Sequence, residues 1–142
     1  MRAPVLLDTG PLVALVHRRD KYHEWAKAQT ERMPAPLLTC EPVLTEACFL
    51  LSKLPGGSNA VLEMVEHGLI EVGIHLPGEI MALRKLMARY ADVPMSLADA
   101  CLVRLSEKEE KGIVFTLDSD FHIYRRHRRQ IVPTLMPPER SR

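Results

Sequence analysis

The sequence is poor in the features that mark secreted, membrane and zinc proteins. It has only three cysteines, Cys40, Cys48 and Cys101, with no CxxC pair among them. Each sits in an apolar pattern, as reduced core thiols do. Six histidines form no HExxH and no Cys/His ligand spacing, which argues against a zinc enzyme. There is no GxSxG elbow for a nucleophilic hydrolase. No apolar run approaches the ~18 residues that a bilayer span needs. The opening residues MRAPVLLDTG carry none of the marks of a secretion signal. The expectation is a cytoplasmic protein without a membrane segment. Repeats and low-complexity stretches are also absent.

The length, 142 residues, suits one domain with a substantial core, and 46% hydrophobic with 26% charged residues is ordinary globular composition. Five short runs read as strands: 4–8, 36–39, 69–75, 113–117 and 131–135. Most are apolar throughout rather than alternating, as in strands covered on both faces of a parallel sheet. Between them lie segments of helical spacing. Residues 11–32 hold one or two helices, with Pro11 placed for a first turn. Residues 41–54 form another, its stripe made by Val43, Leu44, Ala47, Leu50, Leu51 and Leu54. "PGGS" at 55–58 breaks the chain before a helix at 59–67, and 78–90 and 97–110 give two more. This alternation predicts an α/β fold in one domain, residues 1–137, with a mostly parallel sheet flanked by helices and a loose tail at 138–142.

Charge is unevenly spread. The formal net charge is +1, yet from His122 to Arg142 there are six arginines and one glutamate, so the preceding residues carry a net negative charge. A basic segment beside an acidic body suits a polyanion or an acidic partner, or simply a solvated surface.

In open α/β sheets, sites form beyond the carboxyl ends of the strands where strand order reverses. Asp8 ends the first apolar run and Asp118 the fourth. Each has a structural alternative, Asp8 as cap of the following helix and Asp118 as cap of the following turn. Glu46 and Asp99 each lie about 100° from the centre of a helical stripe, at its edge, where a side chain reaches a cleft without entering the core. Ser96 and Asp99 also have capping-box spacing. Convergence of the four acids would set them in mutual repulsion. A hard divalent cation, Mg²⁺ or Mn²⁺, removes that conflict, activates a water and neutralises charge on a phosphodiester.

The segments "LLDTGPLVAL" around Asp8, "VLTEACFLL" around Glu46, "SLADACLV" around Asp99 and "FTLDSDF" around Asp118 together resemble the PIN-domain ribonucleases, in particular the VapC-like toxins of toxin–antitoxin pairs. The resemblance spans about residues 4–135. It implies a five-stranded parallel sheet between helices and a Mg²⁺- or Mn²⁺-dependent endoribonuclease. Asp8, Glu46, Asp99 and Asp118 would form the catalytic acids, with Asp8, Asp99 and Asp118 as metal ligands. Asp120 would be an accessory acid, Thr116 the hydroxyl residue before the last acid, and Thr9 a support for Asp8. A homodimer and an antitoxin covering the acidic groove are implied as well.

Candidate phosphate contacts are Arg125, Arg126, Arg128 and Arg129, with Arg84, Lys85 and Arg89 on the helix before Asp99. Tyr124 and Phe121 are candidates for stacking on bases, Phe121 with the stronger case as core. Single-stranded or looped RNA fits a carboxylate-lined cleft best. The rival readings are a PIN-fold module that binds RNA or protein without cutting, and a PIN nuclease of RNA processing that is not a toxin. A haloacid-dehalogenase-like reading of Asp118-Ser-Asp120 fails because only 22 residues follow Asp120. A receiver domain would need a second acid at position 9, which is Thr.

Overall fold

The computed structural model describes residues 3–138. Seven strands occur in chain order: β1 (Val5–Leu7), β2 (Leu37–Thr39), β3 (Ile70–Val72), β4 (Ile113–Phe115), β5 (Arg125–Arg126), β6 (Gln130–Ile131) and β7 (Thr134–Leu135). Five of them make one parallel sheet in the order β3-β2-β1-β4-β7. Leu6 of β1 is in register with Leu38 on one side and Val114 on the other. Both faces of this sheet are covered, so Val5, Leu6, Leu7, Val114 and Phe115 are all buried. That double covering is why these runs are continuously apolar.

Six helices flank the sheet: α1 (Thr9–Val16), α2 (His23–Thr30), α3 (Glu41–Leu50), α4 (Gly57–Glu66), α5 (Ile80–Arg89) and α6 (Leu97–Lys108). The 11–32 region is therefore two helices. The stripe expected on α6 from the sequence, Ala98, Cys101, Leu102 and Leu105, is buried, and Ala100, Val103 and Ser106 are buried beside it. From β1 the chain steps outward through β2 and β3, then returns to lay β4 on the other side of β1. Strand order reverses between β1 and β4, and a crevice opens at their carboxyl ends.

Two sequence expectations need correction. The helix expected over 41–54 stops at Leu50, where Leu51 takes a non-helical conformation (φ −94°, ψ 3°). The ending turns the stripe aside, so Leu51 is fully buried while Leu50 stays 60% exposed. A Cβ at Gly57 would stand 2.6 Å from the Leu51 carbonyl oxygen, so the "PGG" turn closes tightly only with glycine there. The strand expected over 131–135 is divided. Pro133 has no N–H to donate, and its carbonyl instead accepts from Val114 N at 2.8 Å. Before it, β6 pairs antiparallel with β5 in a separate ribbon; after it, β7 joins β4. Of the expected loose tail, residues 139–142 lie outside the described residues.

Candidate active site

Asp8 directly follows β1 and is the N-cap of α1, and its backbone N–H donates to the Phe115 carbonyl of β4 at 3.0 Å. Asp118 follows β4 and caps the short 3₁₀ helix Ser119–His122. Both acids thus stand at the switch point. Glu46 approaches from α3 and Asp99 from the first turn of α6. All four, with Asp120, line one open cleft of about 440 Å³, in which no Lys, Arg or His takes part among the described residues. The capping roles and the convergence coexist: the bonds that cap the helices also aim the carboxylates.

Two threonines organise the group. Asp8 Oδ1 accepts from Thr9 N at 2.8 Å and its Oδ2 from Thr116 Oγ1 at 2.6 Å. Thr116 Oγ1 also accepts from Asp118 N at 2.9 Å, so one buried hydroxyl ties the two strand-end acids together. Thr9 Oγ1 donates to Glu46 Oε2 at 2.9 Å, which links the first turn of α1 to α3. Asp118 Oδ1 accepts from Asp120 N at 2.9 Å. For Asp118 and Glu46 the second carboxylate oxygen takes no hydrogen bond among the described residues. Gly10 allows a close approach: a Cβ there would lie 3.1 Å from the Leu117 side chain lining the cleft, which would have to give by a few tenths of an ångström.

Asp99 is held from two sides. Its backbone N–H donates to Ser96 Oγ at 3.0 Å, and its Oδ2 accepts from Ser96 N at 3.3 Å and from Tyr124 OH at 2.9 Å. The Tyr124 ring is fully buried, edge-on to Tyr90 (5.1 Å) and Phe121 (5.3 Å). Sequence reasoning offered Tyr124 as a base-stacking side chain; a ring with no exposed face cannot stack on RNA, and its role is to hold Asp99. The capping-box spacing signalled Ser96, but nothing in the sequence signalled the Tyr124 bond across 25 residues. Phe121 is core, as its position after the acidic turn suggested.

The acids are held against their own repulsion. Burial pushes the Asp8 carboxyl up to about 6, opposed by the Thr116 and Thr9 hydrogen bonds and reinforced by the charges of Asp99 and Asp118. Burial also raises Asp99, against the lowering effect of the Tyr124 and Ser96 hydrogen bonds. The Tyr124 phenol is raised in turn, by burial and then by its bond to Asp99.

The arginines divide. Arg126 is 9% exposed, and its guanidinium Nη1 donates to the Ser106 and Glu110 carbonyls at 2.8 and 3.0 Å. It satisfies carbonyls in and just beyond the last turn of α6 and is not presented to an RNA, contrary to the expectation of a phosphate contact. Arg125 Nη1 is occupied by the carbonyls of His122, Ile123 and Tyr124. Arg128 and Arg129 are exposed in the turn joining β5 to β6, where His127 and Arg128 have positive φ (47° and 71°). Arg84 and Lys85 are exposed on α5, and neither lines the acidic cleft. The structure brings the five acids and the two threonines together and leaves the basic candidates outside.

Among the described residues, no three Asp, Glu, His or Cys side chains stand close enough together to hold an ion as they are placed. The chemistry of the donor set nevertheless fits a hard cation. Every ionisable group that the described residues place on the cleft is a carboxylate, and Ser and Thr hydroxyls are the neighbours.

A protein-family model for the PIN domain matches residues 5–126, which includes all five acids. No curated protein matches the sequence at a significant level. Among solved structures, the chain is similar to the crystal structure of Mycobacterium tuberculosis VapC20, described as a sarcin-ricin loop cleaving toxin. The TM-score is 0.66 at 22% identity, over 82% of this chain and 91% of that one, a likeness of fold. With the parallel sheet, the acids at its switch point and the family match together, the chain belongs to the PIN domain family.

Proposed function

We propose that this chain is a divalent-metal-dependent endoribonuclease and the toxin of a toxin–antitoxin pair. The observation that carries the reading is the gathering of Asp8, Glu46, Asp99 and Asp118, from four separate segments, on one cleft at the sheet's switch point. The fold shared with the RNA-cleaving toxin VapC20 supports RNA as substrate. Asp8, Asp99 and Asp118 would hold Mg²⁺ or Mn²⁺, with Glu46 beside them and Asp120 accessory. The cation, when bound, acidifies a water and neutralises charge on the phosphate oxygens. The protein's own contribution is orientation. Thr116 fixes Asp8 relative to the Asp118 turn, Thr9 fixes Glu46, and Tyr124 with Ser96 fixes Asp99. Glu46, exposed and lining the cleft, would direct the attacking water. Arg128 and Arg129, exposed in the turn between β5 and β6, would meet RNA phosphates beyond the cleft.

Two partners follow from this reading. An antitoxin segment would cover the acidic cleft. Phe49 and Leu50 on α3 and Leu62 on α4, 76%, 60% and 55% exposed on helices that pack together, offer an apolar face for a homodimer. The three free cysteines suit the reducing cytoplasm. In the test, protein purified free of any antitoxin is incubated with a broad RNA panel and Mg²⁺ or Mn²⁺. Cleavage is expected, and Asp8→Asn or Asp99→Asn should lower it on the order of 10³-fold. An RNA panel left intact with both metals would favour a module that binds RNA or protein without cutting.

A further inference from the structure

A second pocket, of about 690 Å³, opens beside the acidic cleft, with Glu46 on the wall of both. We propose that it is a nucleobase site, seating the base next to the scissile phosphate of single-stranded RNA. The proposal rests on the nuclease reading above for the identity of the neighbouring cleft.

The first turns of two helices divide the space. On α6, Leu97 and Cys101, one turn apart, face this pocket, while Ser96 and Asp99 face the acids. On α3, Pro42 and Glu46 are related in the same way, as are Glu41 and Thr45. Below, the pocket rests on residues that follow the carboxyl ends of β2 and β3, namely Cys40 and Ile74. The acidic cleft rests on the ends of β1 and β4. Neighbouring strands are about 4.8 Å apart, so the two floors are offset by about one to two strand spacings. That offset matches the span from a phosphate to the base of its own nucleotide.

The chemistry of the two compartments differs as the two ends of a nucleotide differ. One is lined by carboxylates that suit a cation and phosphate. The other has a buried floor of Cys40, Cys101 and Ile74, walls of Pro42, Leu76, Pro77 and Leu97, and a polar rim. The rim holds Glu41, Thr45 and His75, of which Glu41 can accept from a base's amino edge and His75 can stack on its face. Volume and lining fall within the range of sites that enclose a flat, mostly apolar group with a few directing polar contacts.

The test uses metal-free, ¹⁵N-labelled full chain titrated with AMP, GMP, CMP and UMP. Amide shifts are expected at Thr45, Ile74, His75 and Leu97. Leu97→Trp, which fills the space, should abolish them, and His75→Ala, at an exposed position, should weaken them with the fold intact. In parallel, single abasic residues are scanned through a cleavable single-stranded RNA. Removal of one base flanking the cut should lower kcat/KM roughly tenfold in the wild type and within about twofold in Leu97→Trp. Shifts elsewhere, insensitive to both variants, with abasic sites tolerated on either side of the cut, would overturn the proposal. So would a pocket silent to nucleotides but occupied by a partner polypeptide. Nucleotide shifts at the pocket without any RNA cleavage would break the nuclease reading and leave the pocket standing; cleavage without those shifts would do the reverse.

Discussion

The acidic cleft, completed by the Asp118–Asp120 turn, and the basic ribbon β5–β6 that follows that turn are opposite in design. In the cleft, like charges are brought together, with burial raising Asp8 and Asp99 and no Lys, Arg or His lining it among the described residues. In the ribbon, opposite conditions hold: Arg125 and Arg126 are occupied by backbone carbonyls, and Arg128 and Arg129 point into solvent. Charge that has been satisfied locally holds the fold together. Charge that is held without an opposite charge beside it, at a cost to stability, marks the place where an external cation and a substrate are expected.

Removing the strain at Asp8 gives the sharpest contrast. A carboxyl raised to about 6 binds its proton more tightly in the folded than in the unfolded chain. Its contribution to stability is present at low pH and is lost as pH rises through about 6; by pH 7 the ionised group costs on the order of 3 kcal/mol. Metal-free wild type should therefore lose stability between about pH 4 and pH 7, with Asp99 adding in the same direction. Asp8→Asn should flatten that slope and melt higher at pH 7.5 while its cleavage falls on the order of 10³-fold. Denaturant unfolding at a series of pH values checks this, and an Asp8→Asn protein less stable than wild type at pH 7.5 would break the comparison.

A smaller effect is expected at Thr116. Thr116→Val withdraws a donor from Asp8 and an acceptor from Asp118 N together, at about 1–3 kcal/mol. Cleavage should fall roughly 10- to 100-fold, since the acids remain but lose their mutual register. Thermal melting and single-turnover rates separate the two consequences. On the basic side, Arg126→Ala should destabilise the protein by about 1–2 kcal/mol through the carbonyls it leaves. The pair Arg128→Ala and Arg129→Ala should leave the melting temperature unchanged and reduce the salt slope of RNA binding by up to about 2. Interchanged outcomes for these variants would reverse the division of the ribbon.

The legible parts of this molecule were those fixed by local pattern. Apolar runs ending in Asp8 and Asp118, and acids at the stripe edges of α3 and α6, were visible because strand and helix periodicity place them without tertiary information. The role of Arg126 was hidden because its acceptors, the carbonyls of Ser106 and Glu110, belong to the end of a helix 16 to 20 residues earlier. Tyr124 was misread for the same reason: its partner Asp99 is distant in sequence, and burial of its ring depends on Tyr90 and Phe121. Pro133 was present in the run 131–135, but apolar continuity outweighed its missing donor. Leu50 fitted the stripe of α3 and is its last helical residue, yet stays exposed, while Leu51, just past the helix and in contact with the "PGG" turn, is buried.

The central claim is that the gathered carboxylates are a divalent-cation site. Isothermal titration of the metal-free protein with Mn²⁺ at pH 7.5 tests it most directly, with Asp8→Asn beside the wild type. The account predicts saturable binding to the wild type that weakens below about pH 6, as Asp8 takes up its proton, and is lost in Asp8→Asn. Equal binding by both proteins, or none by either, would contradict it.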